Sequence, residues 1–378
     1  MLACEICVIG GGPAGLTAAL HAASLGASAV IIDRNDYLGG QLIKQTHRFF
    51  GSKEQKASER GISISRELSL AVEKEKNIKV LTAATALGYY KDGVVTVEKD
   101  ERFLKIKPQK IIVATGGAEK TLPFPNNDLP GVYGAGAVQT LVNVYGVKPG
   151  RRVLMVGAGN IGVIVSYQLL QAGMEVAGIV EAAPRIGAYW VHAAKVVRAG
   201  VPIYTRHTIK GAWGKKEVEG ATIVELDEQW KPIPGTEKDF AVDVICLSVG
   251  LNPLTEILWQ AGCAMKYVPE LSGYVPLRNE YLETSVPGIY VAGDAGGIEE
   301  ASAAMMEGAL AGLNAARALG YSAPDFNSRR ANILRELESL RSGPVGEKIR
   351  KGLEKVTLTE RREMRSGLSN LSLLTSNF

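Results

Sequence analysis

Cysteine is scarce in this chain: Cys4, Cys7, Cys246 and Cys263 are the four it has. Cys4 and Cys7 form a C-x-x-C, but both fall on an expected first strand. Three residues of strand span about 10 Å, with side chains on opposite faces. A disulfide needs Cα atoms within about 7 Å. Buried strand thiols are therefore expected, not a redox pair. Long apolar runs are also missing. No stretch of 18 or more apolar residues occurs, so no membrane span is read. The N-terminus lacks a basic region, carries Glu5 early and runs directly into a glycine motif, which argues against a signal peptide and for the cytoplasm.

Histidine is rare too, with four residues and none in a triad-like setting. His47 is read as structural or partner-facing, and His21 as solvent-facing. Net charge is a modest +4. Residues 329–378 hold 11 Lys/Arg against 6 Asp/Glu, which leaves the rest nearly neutral. Such a body with a basic tail does not read as a nucleic-acid binder.

Glycine is plentiful. The 43 glycines and 46% hydrophobic content fit an α/β protein with many tight turns. Two of its clusters are dinucleotide fingerprints, each after an apolar strand-like run and each opening a helix-like run. The first is Gly10-Gly11-Gly12-Pro13-Ala14-Gly15 and the second Gly157-Ala158-Gly159-Asn160-Ile161-Gly162. In the first, Gly10 permits the tight turn, Gly12 lets backbone approach a pyrophosphate, and Gly15 lets helix pack on strand. The helix N-terminus offers N–H groups and a positive dipole end. Asp33, 23 residues beyond Gly10, is placed to accept ribose hydroxyls. Glu181 lies 24 residues beyond Gly157 and favours a free 2′-hydroxyl, hence NADH over NADPH, with Arg185 close by. An ADP- or ATP-holding second pocket stays open as an alternative. Near the C-terminal side, Gly293-Asp294 at a strand end can bond a ribityl hydroxyl, and points to FAD rather than NAD in the first site.

The chain reads as an internal duplication. Strand 5–10, helix 13–26 and strand 28–33 are followed by a hairpin pattern over 86–107 and a buried strand from Lys110 to Gly117. Strand 152–157, helix 160–172, strand 175–181, a hairpin over 221–242 and a strand from Val244 to Gly250 repeat that order. Pro- and Asn-rich 118–130 and Asn252-Pro253 are the expected hinges. The predicted fold class is α/β: two nested Rossmann-like, three-layer ββα dinucleotide-binding domains plus a helical C-terminal tail. Residues 1–117 and 252–328 would bind FAD, 118–251 NAD(H), and 329–378 would be the extension. Its apolar stripes, Ile333/Leu337/Leu340 and Val345/Ile349/Leu353/Val356, must bury against the chain's own body or a partner. A partner, or self-association into an oligomer, is favoured. The Ser/Leu-rich last stretch is expected to be disordered alone.

With both fingerprints, the Ala114-Thr115-Gly116 strand end and Gly293-Asp294 in view, the chain resembles the pyridine nucleotide-disulfide oxidoreductase superfamily over residues 1 to about 320. Gly39-Gly40-Gln41 resembles the thioredoxin-reductase-type branch. That likeness implies that Gly40 and Gln41 contact the flavin, that Thr115 and Gly116 line the FAD, and that Ala301 lies near the isoalloxazine ring. The implied FAD contacts are then Gly10, Gly12, Pro13, Ala14, Gly15, Asp33, Arg34, Gly40, Gln41, Ala114, Thr115, Gly116, Gly293, Asp294 and Ala301. For NAD they are Gly157, Gly159, Asn160, Ile161, Gly162, Glu181 and Gly250. No metal ligand and no catalytic side chain is assigned, because a flavin takes hydride without a protein nucleophile.

There are departures. The second domain has no redox C-x-x-C and no cysteine pair follows Gly40, which excludes disulfide reduction. Related NADH oxidases carry a Glu where this chain has Ile164. The segments GGQLIKQTHRFFG and Ser342 to Lys348 resemble auxiliary or α flavoprotein subunits of multi-subunit proline, sarcosine or glycerol-3-phosphate-type dehydrogenases. The resemblance implies an FAD-dependent NAD(P)H-, amine- or hydroxy-acid-dehydrogenase-type enzyme. It would exchange electrons between NAD(H) and a second flavoprotein subunit. With no cysteine after Cys263, any iron–sulfur cluster belongs to a partner subunit. A nucleotide-binding scaffold without NADH turnover is the alternative.

Overall fold

The structure is a computed structural model that describes residues 1–49, 53 and 56–358, apart from the Val345 side chain. The Ser/Leu-rich end from 359, most of the expected disordered stretch, lies outside the described residues, as do Phe50, Gly51 and the Val345 position of the second stripe. The chain divides into two compact units, residues 1–118 with 252 onward, and residues 119–251.

The first unit begins with β1 (Leu2–Ile9), α1 (Pro13–Ala23) and β2 (Ala29–Ile32). Both faces of β1 are covered. Ile6 and Val8 join the helix-side core, while Cys7 and Ile9 face the opposite layer, so the strand is apolar throughout instead of alternating. Cys7 is buried, and Cys4 packs against the same cluster as Cys7, not on the opposite face. All four cysteines are free. Next come α2 (Gly61–Lys74), β3 (Ile78–Leu81), β4 (Ala84–Tyr89), β5 (Val95–Lys99) and β6 (Arg102–Val113). The sheet order is β3-β2-β1-β6-β5-β4.

The sequence pattern suggests a hairpin arm and a separate closing strand; β6 is one continuous strand doing both jobs. Its first half pairs antiparallel with β5, and its second half pairs parallel with a later strand, Ile111 opposite Ile289. Pro108, which has no N–H, falls between the two partners.

After β7 (Gly117–Glu119) the second unit repeats the plan. It contains β8 (Val132–Gly134), α3 (Ala135–Asn143), β9 (Arg152–Val156), α4 (Asn160–Gln171), β10 (Glu175–Glu181), α5 (Trp190–Arg198) and β11 (Ile203–Thr205). β12 (His207–Trp213), β13 (Gly220–Glu225), β14 (Lys238–Phe240) and β15 (Val244–Leu247) follow. The parallel sheet β11-β10-β9-β15-β8 lies between a helical layer and the antiparallel β12-β13-β14 layer, with one apolar cluster on each face. Each unit is thus a three-layer Rossmann-like α/β sandwich.

The returning chain forms β16 (Leu251–Pro253), α6 (Glu256–Gln260), β17 (Met265–Val268), β18 (Gly273–Pro276), β19 (Ile289–Val291) and α7 (Ala301–Arg317). α7 seats on α1 nearly backbone to backbone. A methyl at Gly308 would stand 2.1 Å from the Ala14 carbonyl oxygen, and one at Gly312 2.1 Å from that of Ala18. The Thr17 hydroxyl donates to the Met305 carbonyl at 3.0 Å.

α8 (Phe326–Leu340) and α9 (Gly343–Glu354) end the described chain. Here the preference for a partner under the tail is corrected. Ile333 and Leu337 are buried in the α1/α7 core, with Leu340 packed against it. Ile349, Leu353 and Val356 close on Val268, Leu271 and Val275. The body offers apolar surface at both places, so the described part of each stripe is satisfied within the chain. His21 is likewise not solvent-facing. It is half-buried with Arg329 of α8 nearby, and burial together with Arg329 pushes its imidazole down to about 4. No helix among the described residues is long and apolar enough to cross a membrane.

Candidate functional site

The two fingerprints fold into matching turns. Gly10 has φ +112°, and a Cβ there would sit 2.2 Å from the Ala114 carbonyl oxygen. Gly157 has φ +108°, and its Cβ would sit 2.1 Å from the Ser248 carbonyl oxygen. Both positions need glycine for conformation and for space. Gly15 and Gly162 are closed off in the same way, each by the carbonyl of its own turn glycine, Gly10 and Gly157. The middle glycines differ. Around Gly12 the nearest atom to a built Cβ is Gly40 Cα at 3.8 Å, and around Gly159 nothing lies within 4 Å. Backbone φ is −79° at Gly12 and −75° at Gly159, so neither needs glycine for its own fold. Each is the N-cap of its helix, without a side-chain cap. Open space before an uncapped helix start is the shape a phosphate requires.

The carboxylates complete the parallel. Asp33 Oδ2 accepts from the Gly11 N–H at 2.7 Å, and Oδ1 from the Asn35 N–H at 2.8 Å. Glu181 Oε2 accepts from the Ala158 N–H at 2.8 Å, and Oε1 from the Ala183 N–H at 2.9 Å. Each anchors its glycine turn and keeps further lone pairs for hydroxyl donors. Arg34 beside Asp33 is exposed. Asn160 turns its amide oxygen to the Tyr189 N–H at 2.9 Å, so it ties down the 183–189 loop instead of pointing at open space, and Ile161 is exposed.

In the first unit the remaining motif residues converge on the same turn. The Gly39 N–H donates to the Gly11 carbonyl at 2.8 Å, which brings Gly40, and the exposed Gln41 after it, beside Gly12. The Ala114 N–H donates to Ile9, continuing the sheet to the strand end. Thr115 is tied by its hydroxyl to the Leu254 carbonyl at 2.6 Å, and the Leu254 N–H returns to the Gly116 carbonyl at 2.9 Å. Gly116, at φ +81°, has nothing within 4 Å of a Cβ. Gly250 ends the equivalent strand region of the second unit at φ +111°, its carbonyl accepting from the Lys120 N–H at 2.9 Å. Gly293, at φ +68°, lies against α1, where a Cβ would come within 2.9 Å of the Ala14 methyl. Ala301 opens α7 just beyond.

The sequence pattern passes over the charges behind this motif. The Gly293 N–H donates to Glu307 Oε2 at 2.9 Å. Glu307 Oε1 meets Arg341 Nη2 at 2.6 Å and Arg278 Nη2 at 3.4 Å. Arg341 also grips Glu299 through two contacts, of 3.0 and 2.7 Å. The Glu299 N–H reaches Asp294 Oδ1 at 3.3 Å. Burial pushes the Asp294 carboxyl up to about 7, with Glu299 and Glu307 adding to the shift. A lone Glu in the Ala/Gly/Leu-rich α7 is the one signal that could have drawn attention to Glu307. Among the described residues no three His, Cys, Asp or Glu side chains gather as a metal site.

Two such units, one inserted in the other, define the class of proteins with two dinucleotide folds in one chain. More particularly, the chain belongs to the pyridine nucleotide-disulphide oxidoreductase family, which residues 4–308 match. It is 29% identical over 336 residues to sarcosine oxidase subunit alpha of Rhizobium meliloti, covering 85% of this chain and 31% of that one. It is 25% identical over 381 residues to hydrogen cyanide synthase subunit HcnB of Pseudomonas aeruginosa, covering 94% and 79%. L-proline dehydrogenase from P. horikoshii superposes with a TM-score of 0.70 at 25% identity, over 89% of this chain and 59% of that chain. The chain thus spans about a third of the sarcosine oxidase subunit's length. Both curated relatives are named as subunits, one of an oxidase and one of a synthase, and the family is one of oxidoreductases.

Proposed function

We propose that this chain is an FAD-dependent oxidoreductase subunit that exchanges electrons between NAD(H) and a partner flavoprotein within a multi-subunit dehydrogenase or oxidase. The observation that carries the reading is the pair of open middle glycines, Gly12 and Gly159, each at an uncapped helix start and each flanked by an anchored carboxylate. In the first unit, Gly12, Pro13, Ala14 and Gly15 would hold the pyrophosphate of FAD, and Asp33 with Arg34 its adenosine ribose. Gly40, Gln41, Ala114, Thr115 and Gly116 would border the flavin half. Gly293, Asp294 and Ala301 would hold the ribityl chain and ring edge. In the second unit, Gly157, Gly159, Asn160, Ile161, Gly162 and Gly250 would bound the NAD(H) pocket. Glu181 would take a ribose with its 2′-hydroxyl free. A bound flavin supplies hydride acceptance and the handing on of electrons singly or in pairs. The chain's own task is to bind, orient and exclude water, and no side chain is given an acid–base role.

Relatives named as subunits support a partner subunit; on this reading the partner oxidises an amine or hydroxy acid, and an iron–sulfur subunit is a further member of a cytoplasmic assembly. The test is anaerobic titration of the purified protein with NADH while following flavin absorbance, after acid release has identified the cofactor. FAD that bleaches with NADH supports the proposal; FMN, or no flavin after reconstitution, refutes it. Ile164 favours a second reading, because an apolar side chain stands where NADH oxidases carry a Glu. On that reading the second unit holds ADP or ATP without turnover. FAD that NADH leaves oxidised, but that a native partner with its substrate reduces, would select it.

A further inference from the structure

We propose that Arg341, at the end of α8, is a positioning residue of the flavin site, holding the Gly293-Asp294 segment in its ligand-binding conformation; this rests on the reading of that segment as a flavin contact. The C-terminal helices then belong to the site instead of being appended to it. The links are continuous. Arg341 contacts Glu307 at 2.6 Å, and the other oxygen of Glu307 receives the Gly293 N–H at 2.9 Å. Arg341 also clamps Glu299 at two points, and the Glu299 N–H points at Asp294. Gly293 in turn presses on Ala14 of the first fingerprint. The cluster is deep: Arg278 and Glu307 are 4% and 3% exposed, Arg341 and Glu299 14% and 10%.

The charge count explains why Arg341 matters here. Arg278 and Arg341 face two carboxylates, those of Glu299 and Glu307, and Arg341 is the one that contacts both. Arg278 is also committed to the Gly296 carbonyl. Without Arg341, two buried carboxylates lose their main counter-ion, and a buried charge left without a partner drives rearrangement. The segment tied to these two residues is Gly293-Asp294, through the Glu307 carboxylate and the Glu299 N–H. Negative charge left behind would also disfavour a reduced, anionic ligand and the diphosphate of the dinucleotide.

The test compares Arg341→Met and Glu299→Gln with Arg335→Gln, an exposed position on the same helix. Apoprotein is titrated with FAD, and the potential of the bound flavin is measured. Arg341→Met should weaken FAD binding by at least about ten-fold and move the potential to more negative values. Glu299→Gln removes a negative charge and should move the potential the opposite way. Arg335→Gln should match wild type, and Arg341→Lys should restore the potential more fully than the affinity. A role confined to fastening the tail would lower the melting temperature in both cluster variants without opposite shifts of potential. The proposal is overturned if folded Arg341→Met binds FAD within about two-fold of wild type at an unchanged potential. If that variant does not fold, an unchanged potential in Glu299→Gln overturns it. Wild-type protein that takes up no FAD would instead sink the reading of the motifs themselves, which a normal Arg341→Met would leave standing.

Discussion

Alanine placed at successive glycines of the first fingerprint should separate folding from binding. At Gly12 the backbone φ of −79° suits alanine, and a Cβ meets nothing closer than 3.8 Å. Gly12→Ala should leave the apoprotein as stable as wild type, or more stable by about 0.4–1 kcal/mol through the unfolded chain's lost freedom. At Gly10 the φ of +112° costs alanine about 1–2 kcal/mol. A Cβ 2.2 Å from the Ala114 carbonyl oxygen adds about 1–3 kcal/mol of overpacking. Gly10→Ala should therefore lose on the order of 2–5 kcal/mol, at about 2–4 °C of melting temperature per kcal/mol. Ligand affinity should show the reverse order of merit. A methyl on Gly12 occupies the space reserved for a pyrophosphate and forfeits a charge-assisted hydrogen bond of about 1.5–3 kcal/mol, or roughly 10- to 150-fold in FAD affinity. Apoprotein melting and titration with FAD measure both quantities. A Gly12→Ala protein of normal stability and normal FAD affinity would refute the assignment of that space to a ligand, and a fully stable Gly10→Ala would refute the steric argument.

Three further outcomes are expected. NADH should outperform NADPH with a dye acceptor, because Glu181 facing a 2′-phosphate costs on the order of 1–3 kcal/mol; an NADPH preference contradicts this, and Gly159→Ala should weaken NADH binding without lowering FAD content. Replacing all four cysteines by alanine should preserve flavin reduction, since all four thiols are free and burial raises each of them, while stability falls through cavities at Cys7 and Cys246; a folded, flavin-loaded variant that no longer reduces dye would overturn it. Asp294, raised by burial from 3.8 to about 7, keeps its proton in the folded apoprotein after losing it in the unfolded chain. Its contribution to stability is complete below about pH 4 and is lost as pH rises to about 7. Asp294→Asn should remove that slope and gain on wild type between pH 4 and pH 8 by on the order of a few kcal/mol, which parallel denaturation curves would disprove.

Much of the α/β architecture is legible along the chain because its causes are local. β1, α1 and β2 announce themselves through an apolar run, a glycine turn and Pro13 at the helix start, all within about ten residues of one another. β10 follows the apolar run from Glu175 to Glu181 for the same reason. β6 is less legible. Nothing in Arg102–Val113 tells that one edge of this strand serves two partners, β5 and then β19, since β19 arrives about 180 residues later. Nor does α1 alone reveal its surroundings: His21 looks like a surface residue until its burial and Arg329 of α8 are seen beside it.

The amino-acid sequence by itself determined the two glycine turns, their carboxylates and the repeated strand–helix–strand order. Each depends on the conformational freedom of glycine or on a short-range apolar period, and short-range rules act wherever the residues stand together. Tertiary structure alone decided the rest. It chose the chain's own body as the cover for the described part of the apolar stripes of α8 and α9, when the stripes alone favoured a partner. It also brought Arg278, Glu299, Glu307 and Arg341 together behind Gly293-Asp294. A buried ion cluster is stable only when desolvation is offset by partners on all sides. Those partners come from separate segments, so no local pattern foretells them.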